Sequence, residues 1–280
     1  RAHMSNVLGR NSARILAGRR VSFATYFNAF PASYWQHWTA IREVTLSVRS
    51  TGPGTVLVYR SNGEGISQRV ESREVDGQVE TVFTLPLSSF GDGGWYWFDI
   101  VADEKPLTFE GGEWTVEAEP VRAGKASLGI TTFNKPTYCI ETLRALGESP
   151  DVLAVVDRVF LTDQGTDRVD AQPDFAEVAG VLGKQLEVLS QANLGGSGGF
   201  SRAMSETLKR PESDFVLLLD DDVKIEPESI LRAVALGRFA TRPTLVGAHM
   251  FDLLDRPKLH AWAEVVDNDP FMWRALYQEK

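Results

Sequence analysis

The sequence predicts two successive domains, an all-β domain (a barrel or a sandwich) followed by an α/β domain on a mainly parallel sheet. Three observations carry this. Residues 21–116 alternate apolar and polar side chains between Gly/Pro/Asn turns, which is the pattern of short, half-buried strands. From Ser127 the rhythm changes to strand, helix, strand, as a parallel sheet requires. The run Phe215-Val216-Leu217-Leu218-Leu219 ends in Asp220-Asp221-Asp222, and open α/β sheets present their sites at such strand ends.

In the first domain, Val44–Val48 alternates, Thr51-Gly52-Pro53-Gly54 turns, and Thr55–Arg60 returns. Asn62-Gly63-Glu64-Gly65 is the next turn, and Glu80–Leu85 and Trp95–Ile100 are further strands separated by Gly91–Gly94. Residues 1–20 read as an N-terminal arm, with Arg1-Ala2-His3-Met4 as a tag remnant before a start methionine. Acidic Glu117-Ala118-Glu119-Pro120 places a linker over 117–126, and the second domain runs over 127–280.

There Ser127–Thr132 is the first strand, and Pro136 suits the first turn of a helix that should run to about Leu146-Gly147. Val155–Thr162 and Leu186–Leu189 are strands. Asn193–Gly199 reads as a glycine loop before a helix over Ser201–Lys209. After the aspartate strand, Glu226-Pro227 opens a helix to about Ala240, and Thr244–Ala248 resumes a strand.

At 280 residues, 43% hydrophobic and 24% charged, the chain has globular composition. Lys+Arg 29 against Asp+Glu 38 gives a net charge of −9, which excludes broad nucleic-acid binding. The single Cys139 excludes an internal disulfide framework and fits a reducing compartment. No apolar run reaches the ~18 residues of a membrane span, and no secretory signal is visible.

Three clustered carboxylates repel one another unless a cation sits among them, and hard ions such as Mg²⁺ and Mn²⁺ prefer oxygen. On spacing alone, an acidic strand end that caps the next helix serves equally well. If the strand's alternation continues, Asp220 and Asp222 share one side, which makes them the better pair for one ligand. The glycines of 193–199 could bring backbone N–H groups to an anion, or form a flexible turn. Thr131-Thr132-Phe133-Asn134-Lys135 reaches the same sheet edge, as does Asp163-Gln164-Gly165, where Gln164 either reads a base or shapes a turn. His249, His260, Glu264 and Asp267 are further polar candidates. Trp35, Trp38, Trp95 and Trp97 suit either a core or sugar stacking.

In this order the motifs resemble the nucleotide-sugar half of GT-A (Rossmann-like) glycosyltransferases, whose Asp-x-Asp holds a metal on a sugar-nucleotide diphosphate. Phe23–Trp35, Asp92–Asp99, Asn193–Gly199, Asp220–Asp222, Glu264–Asp267 and Phe271-Met272-Trp273 resemble the actinobacterial polymerising galactofuranosyltransferases over both domains. The resemblance implies a metal-dependent, inverting transfer of galactofuranose from UDP-galactofuranose to a growing, lipid-linked cell-wall galactan. It implies donor contacts from Thr132, Lys135, Gln164, Asn193 and Asp220, and Mn²⁺ or Mg²⁺ on Asp220 and Asp222. It further implies work at the cytoplasmic face of the plasma membrane by peripheral association, and self-assembly of the full-length protein. Thr131 stands where that family has proline, and Lys135 where it has arginine. The family's general base, a further metal-binding histidine and a helical region are expected beyond residue 280, so the GT-A domain reads as incomplete and the 280 residues as inactive alone. The alternative is a carbohydrate-binding or scaffolding fragment without catalysis. A sugar-1-phosphate nucleotidyltransferase ranks below both, because its glycine-rich loop should follow the first strand.

Overall fold

A computed structural model describes residues 5–91, 93–261, 263–269 and 271–276. The chain divides into two compact units, Arg1–Val121 with Phe239–Pro243, and Arg122–Arg238 with Thr244–Lys280. Asp92, part of a quoted motif, lies outside the described residues.

The first unit holds β1 (Ser5–Gly9), β2 (Ser12–Ile15), β3 (Arg20–Ser22), α1 (Ala32–Trp38), β4 (Glu43–Thr51), β5 (Gly54–Ser61), β6 (Ser67–Val75), β7 (Gln78–Pro86), β8 (Tyr96–Ala102) and β9 (Leu107–Thr115). They form two antiparallel sheets, ordered β1-β2-β9-β4-β7 and β3-β8-β5-β6. Alternation sends one face of each sheet inward. Val44, Leu46 and Val48 of β4 lie opposite Leu85, Phe83 and Thr81 of β7. The apolar members join Val56, Val58, Phe98 and Ile100 of the other sheet in one core. The unit is therefore a β-sandwich, which decides between the two all-β architectures. Trp35 packs on Phe30 and Phe239, so that ring belongs to the core edge.

The second unit begins with β10 (Lys125–Thr132), which enters at the end of the expected linker. There follow α2 (Pro136–Gly147), α3 (Pro150–Val155), β11 (Val156–Asp163), α4 (Phe175–Leu182), β12 (Leu186–Ser190), α5 (Gly195–Thr207), β13 (Ser213–Asp220) and α6 (Pro227–Phe239). The last pieces are β14 (Met250–Phe251), β15 (Leu259–Ala261), β16 (Ala263–Asp267) and β17 (Met272–Leu276), in two small hairpins. The main sheet is parallel throughout, in the order β12-β11-β10-β13. Ala126, Leu128 and Ile130 of β10 pack with α2, α4 and α6 on one face. Gly129 and Thr131 face α5 on the other. Both faces of β10 are buried, yet its sequence alternates, because the face toward α5 carries the small or polar Ser127, Gly129 and Thr131.

Two expectations fail here. Residues 244–248 form no strand: Leu245 is fully exposed, and no β-ladder among the described residues includes the segment. An apolar run without a partner strand has no ladder to join. The glycine run is not a loop either, since α5 begins at Gly195. Among the described residues, no helix is long and apolar enough to cross a membrane.

Candidate active site

Register places the chemistry at one sheet edge. Thr131 of β10 lies beside Asp220 of β13 and Thr162 of β11, and Thr132 lies beside Asp163. The connections after β10, β11 and β13 therefore leave the sheet together, at its C-terminal edge.

The aspartates do not continue the strand. β13 stops at Asp220, and Asp221 and Asp222 form a turn, so pleat alternation does not carry through to Asp222. Instead, each of the last two meets a residue of the loop after β10. The buried Thr132 donates its hydroxyl to Asp221 Oδ2 at 2.7 Å. Lys135 Nζ donates to Asp222 Oδ2 at 2.8 Å, as an ion pair half exposed on both sides. This contact holds the Asp222 carboxyl below the usual range and raises Lys135. Burial first, and then the charges of Asp222 and Asp221, push the Asp220 carboxyl upward. A cation beside Asp220 would relieve that repulsion.

Gln164 is 6% exposed, and both the oxygen and the nitrogen of its amide are engaged. Oε1 accepts from Leu194 N at 2.9 Å and from Gln191 Nε2 at 3.1 Å, and Nε2 donates to Gly195 O at 3.0 Å. Of its two expected roles, it performs turn shaping: it ties the segment before α5 to the end of β11. Asn193 Oδ1 accepts from Gly195 N at 2.9 Å, closing the turn that starts the helix.

The glycines serve packing as well. A methyl group on Gly199 would sit 2.6 Å from Thr131 Oγ1 and 2.9 Å from Thr131 Cβ, and one on Gly129 would sit 2.6 Å from Ala203 Cβ. Helix α5 thus lies directly on β10, which fixes where its N-terminus points. Gly195 and Gly196 remain exposed at that N-terminus.

The structural roles of two residues named at this edge escaped the sequence reading. Asn134 adopts φ 57°, a region Asn tolerates better than most residues. Its Oδ1 accepts from Thr166 N at 2.8 Å and Asp167 N at 2.9 Å, joining the first and second loops. Asp163 is fully buried and accepts from Gly165 N and Val169 N, both at 2.9 Å. The only local signal was Asn before Lys-Pro, and Asp-Gln-Gly at a strand end.

The remaining candidates stay apart. Asp267 pairs with Arg274 across the β16–β17 hairpin at 3.0 Å, and Glu264 is exposed on the same strand. His249 and His260 lie at the β14–β15 hairpin. Among the described residues, no group of three or more His, Cys, Asp or Glu is arranged to hold a metal ion.

A parallel sheet with carboxylates and a lysine at its C-terminal edge, beside a helix N-terminus, defines an open α/β fold with its candidate site at the strand ends. Residues 124–276 match the family described as glycosyltransferase like family 2, and the chain belongs to that family. Residues 1–117 match the description galactofuranosyltransferase 2 N-terminal. The galactofuranosyltransferase GlfT2 of Mycolicibacterium smegmatis is 45% identical over 270 residues, which is 95% of this chain and 42% of that protein. GlfT2 of Mycobacterium tuberculosis gives the same identity and coverage. The chain thus spans less than half the length of these relatives. A crystal structure of S. aureus TarS is 25% identical over 40% of this chain and 31% of its own, with a TM-score of 0.29.

Proposed function

We propose that this chain forms the donor side of a metal-dependent, inverting galactofuranosyltransferase that uses UDP-galactofuranose and extends a galactan. The observation that carries this reading is the meeting of Asp220–Asp222 with Thr132 and Lys135 at the sheet edge where α5 begins. The 45% identity to GlfT2 proteins supports the sugar.

In this reading Lys135 and the exposed start of α5 meet the diphosphate, one as a point charge and the other through backbone N–H groups. Asn193 and Gln164 hold that helix start in place, and Thr132 holds Asp221 so that the turn keeps its shape. Asp220 faces the nucleotide side. Asp220 and Asp222 are the residues that would hold Mg²⁺ or Mn²⁺. Two carboxylates fit such an ion, which usually takes one or two from protein and the rest from substrate phosphates and water. When bound there, it would offset the charge that develops on the departing UDP. Lys135 would then exchange its contact with Asp222 for the phosphates. Acceptor activation needs a base; Asp220 and Asp222 are taken by the ion in this reading and Asp221 is held by Thr132, so we assign that role to none of the three. In this reading the reaction takes place at the inner membrane face, on a lipid-linked acceptor, as the family resemblance implies.

Calorimetry with UDP tests the site, with and without Mn²⁺, on the wild type and Asp222→Ala. The expected result is binding that strengthens with Mn²⁺ and falls about tenfold or more in the variant, the scale of one lost charged contact. Metal-independent binding that ignores the substitution refutes the assignment.

A further inference from the structure

The first unit carries a second concave site, on the sheet face turned away from its core. Tyr96, Phe98 and Ile100 of β8 point into the sandwich, so Trp97 and Asp99 occupy the opposite face. Register sets Tyr59 beside Trp97 and Ser22 beside Asp99. The Tyr59 and Trp97 rings are near parallel, 13° between planes with centroids 5.7 Å apart. The Arg20 guanidinium lies over Tyr59, 5.2 Å from the ring centre. Together with Ser22, Ala24 and Ser67 these residues line a concavity of about 490 Å³, within the range of small-molecule pockets (about 300–1,000 Å³).

Asp99 is the informative member. It is 1% exposed, yet it lies on the face away from the core. Its Oδ2 accepts from Arg20 Nε at 2.6 Å and also pairs with Nη2. No donor among the described residues reaches Oδ1. A buried carboxylate oxygen without a donor is costly, and at this position an apolar residue would pack at no such cost. Arg20, about half exposed at the rim, keeps guanidinium N–H groups beyond those it gives Asp99.

The lining selects a chemistry. A cation is repelled by Arg20 and an anion by Asp99. A purely apolar ligand would strip water from both without replacing it. A polyhydroxylated ring satisfies every element: its C–H face lies on the aromatic rings, its hydroxyl hydrogens reach Asp99, and its oxygens accept from Arg20. We propose that the β-sandwich carries a glycan-binding site of its own, in which Tyr59 and Trp97 hold a neutral oligosaccharide and Arg20 and Asp99 read its hydroxyls. The site is independent of the donor site on the second unit.

Saturation-transfer NMR and calorimetry on the 280-residue chain test this, with a galactofuranose oligosaccharide in one arm and a galactopyranose oligosaccharide in the other. Saturable binding of either is expected, and the stronger arm identifies the ring form. Trp97→Ala and Arg20→Gln each weaken it about fivefold or more. Trp95→Ala, in a different concavity lined by Tyr34, His37 and Trp38, leaves it unchanged. Arg20→Gln leaves the buried Asp99 without its partner, so Tyr59→Ala, which removes the neighbouring ring and is expected to weaken binding likewise, keeps the test alive if either variant fails to fold. UDP binding is measured in the same variants and stays at the wild-type level, which separates this site from the donor site. Absence of saturable binding by both oligosaccharides overturns the proposal. So does an affinity unmoved by either substitution, or one lost only in Trp95→Ala.

Discussion

Gly199→Ala tests whether the glycine run positions α5 by packing. The added methyl would sit 2.6 Å from Thr131 Oγ1 and 2.9 Å from its Cβ, where ordinary contact begins at 3.4 Å. Thr131 cannot yield by changing rotamer freely, because it is β-branched and set in a strand paired on both sides. The helix must therefore move by something near an ångström, an overpacking that costs about 1–3 kcal/mol. Gly196→Ala is the matched control. It lies on the same helix, and its methyl would meet only Phe200 Cε2, at 4.0 Å. Both substitutions gain helix propensity, up to about 1 kcal/mol, so their difference isolates the clash. At about 2–4 °C per kcal/mol for a unit of this size, Gly199→Ala should melt about 2–12 °C below Gly196→Ala. Calorimetric melting gives this difference, and hydrogen exchange over residues 195–207 localises it to α5. A Gly199→Ala chain that melts with or above Gly196→Ala, with α5 protection unchanged, refutes the packing argument.

Two further outcomes follow from the same unit. Cys139 is fully buried in α2, and burial pushes its thiol up to about 12; it should resist maleimide at neutral pH and label only as the chain unfolds in urea, and rapid stoichiometric labelling of the native chain contradicts this. Burial alone would raise the Asp157 carboxyl, but hydrogen bonds from Arg210 (3.0 Å) and Ser213 (3.1 Å), with the Arg210 charge, outweigh it and lower the pKa. A carboxyl depressed on folding adds stability above its ordinary value of 3.8, and that stability is lost as pH falls through the lower folded value. Asp157→Asn should flatten this acid limb in urea midpoints measured against pH, and parallel limbs for the two chains refute it.

What was legible in the sequence depended on whether a signal was local. The alternation of β4 and β7 was readable because each buries one face, β10 because Ala126, Leu128 and Ile130 alternate with small or polar residues, and β13 because of its five consecutive apolar residues. β6 was not, since Ser67–Val75 is exposed along nearly all its length and is held by its backbone ladder to β5 rather than by a buried face. Thr244–Ala248 erred in the other direction, with strand-like composition but no place in a β-ladder among the described residues. The site shows the same division. Three aspartates at the end of an apolar strand announced themselves, although Val216 and Leu218 of that strand are exposed; their partners, Thr132 for Asp221 and Lys135 for Asp222, depend on β10 and β13 being neighbours. Gln164 was left between two roles because its amide finds its acceptor and donors across the β12–α5 connection. The glycines show why local spacing could not decide. A missing side chain serves an approaching phosphate and an approaching strand equally well. Only the register of Thr131 against α5 separates the uses: Gly199 is fixed by its contact with β10, which leaves Gly195 and Gly196 as the glycines free to meet an anion. A donor site on this helix therefore has to be tested at its first turn, and substitution of Gly199 reports on the scaffold beneath it.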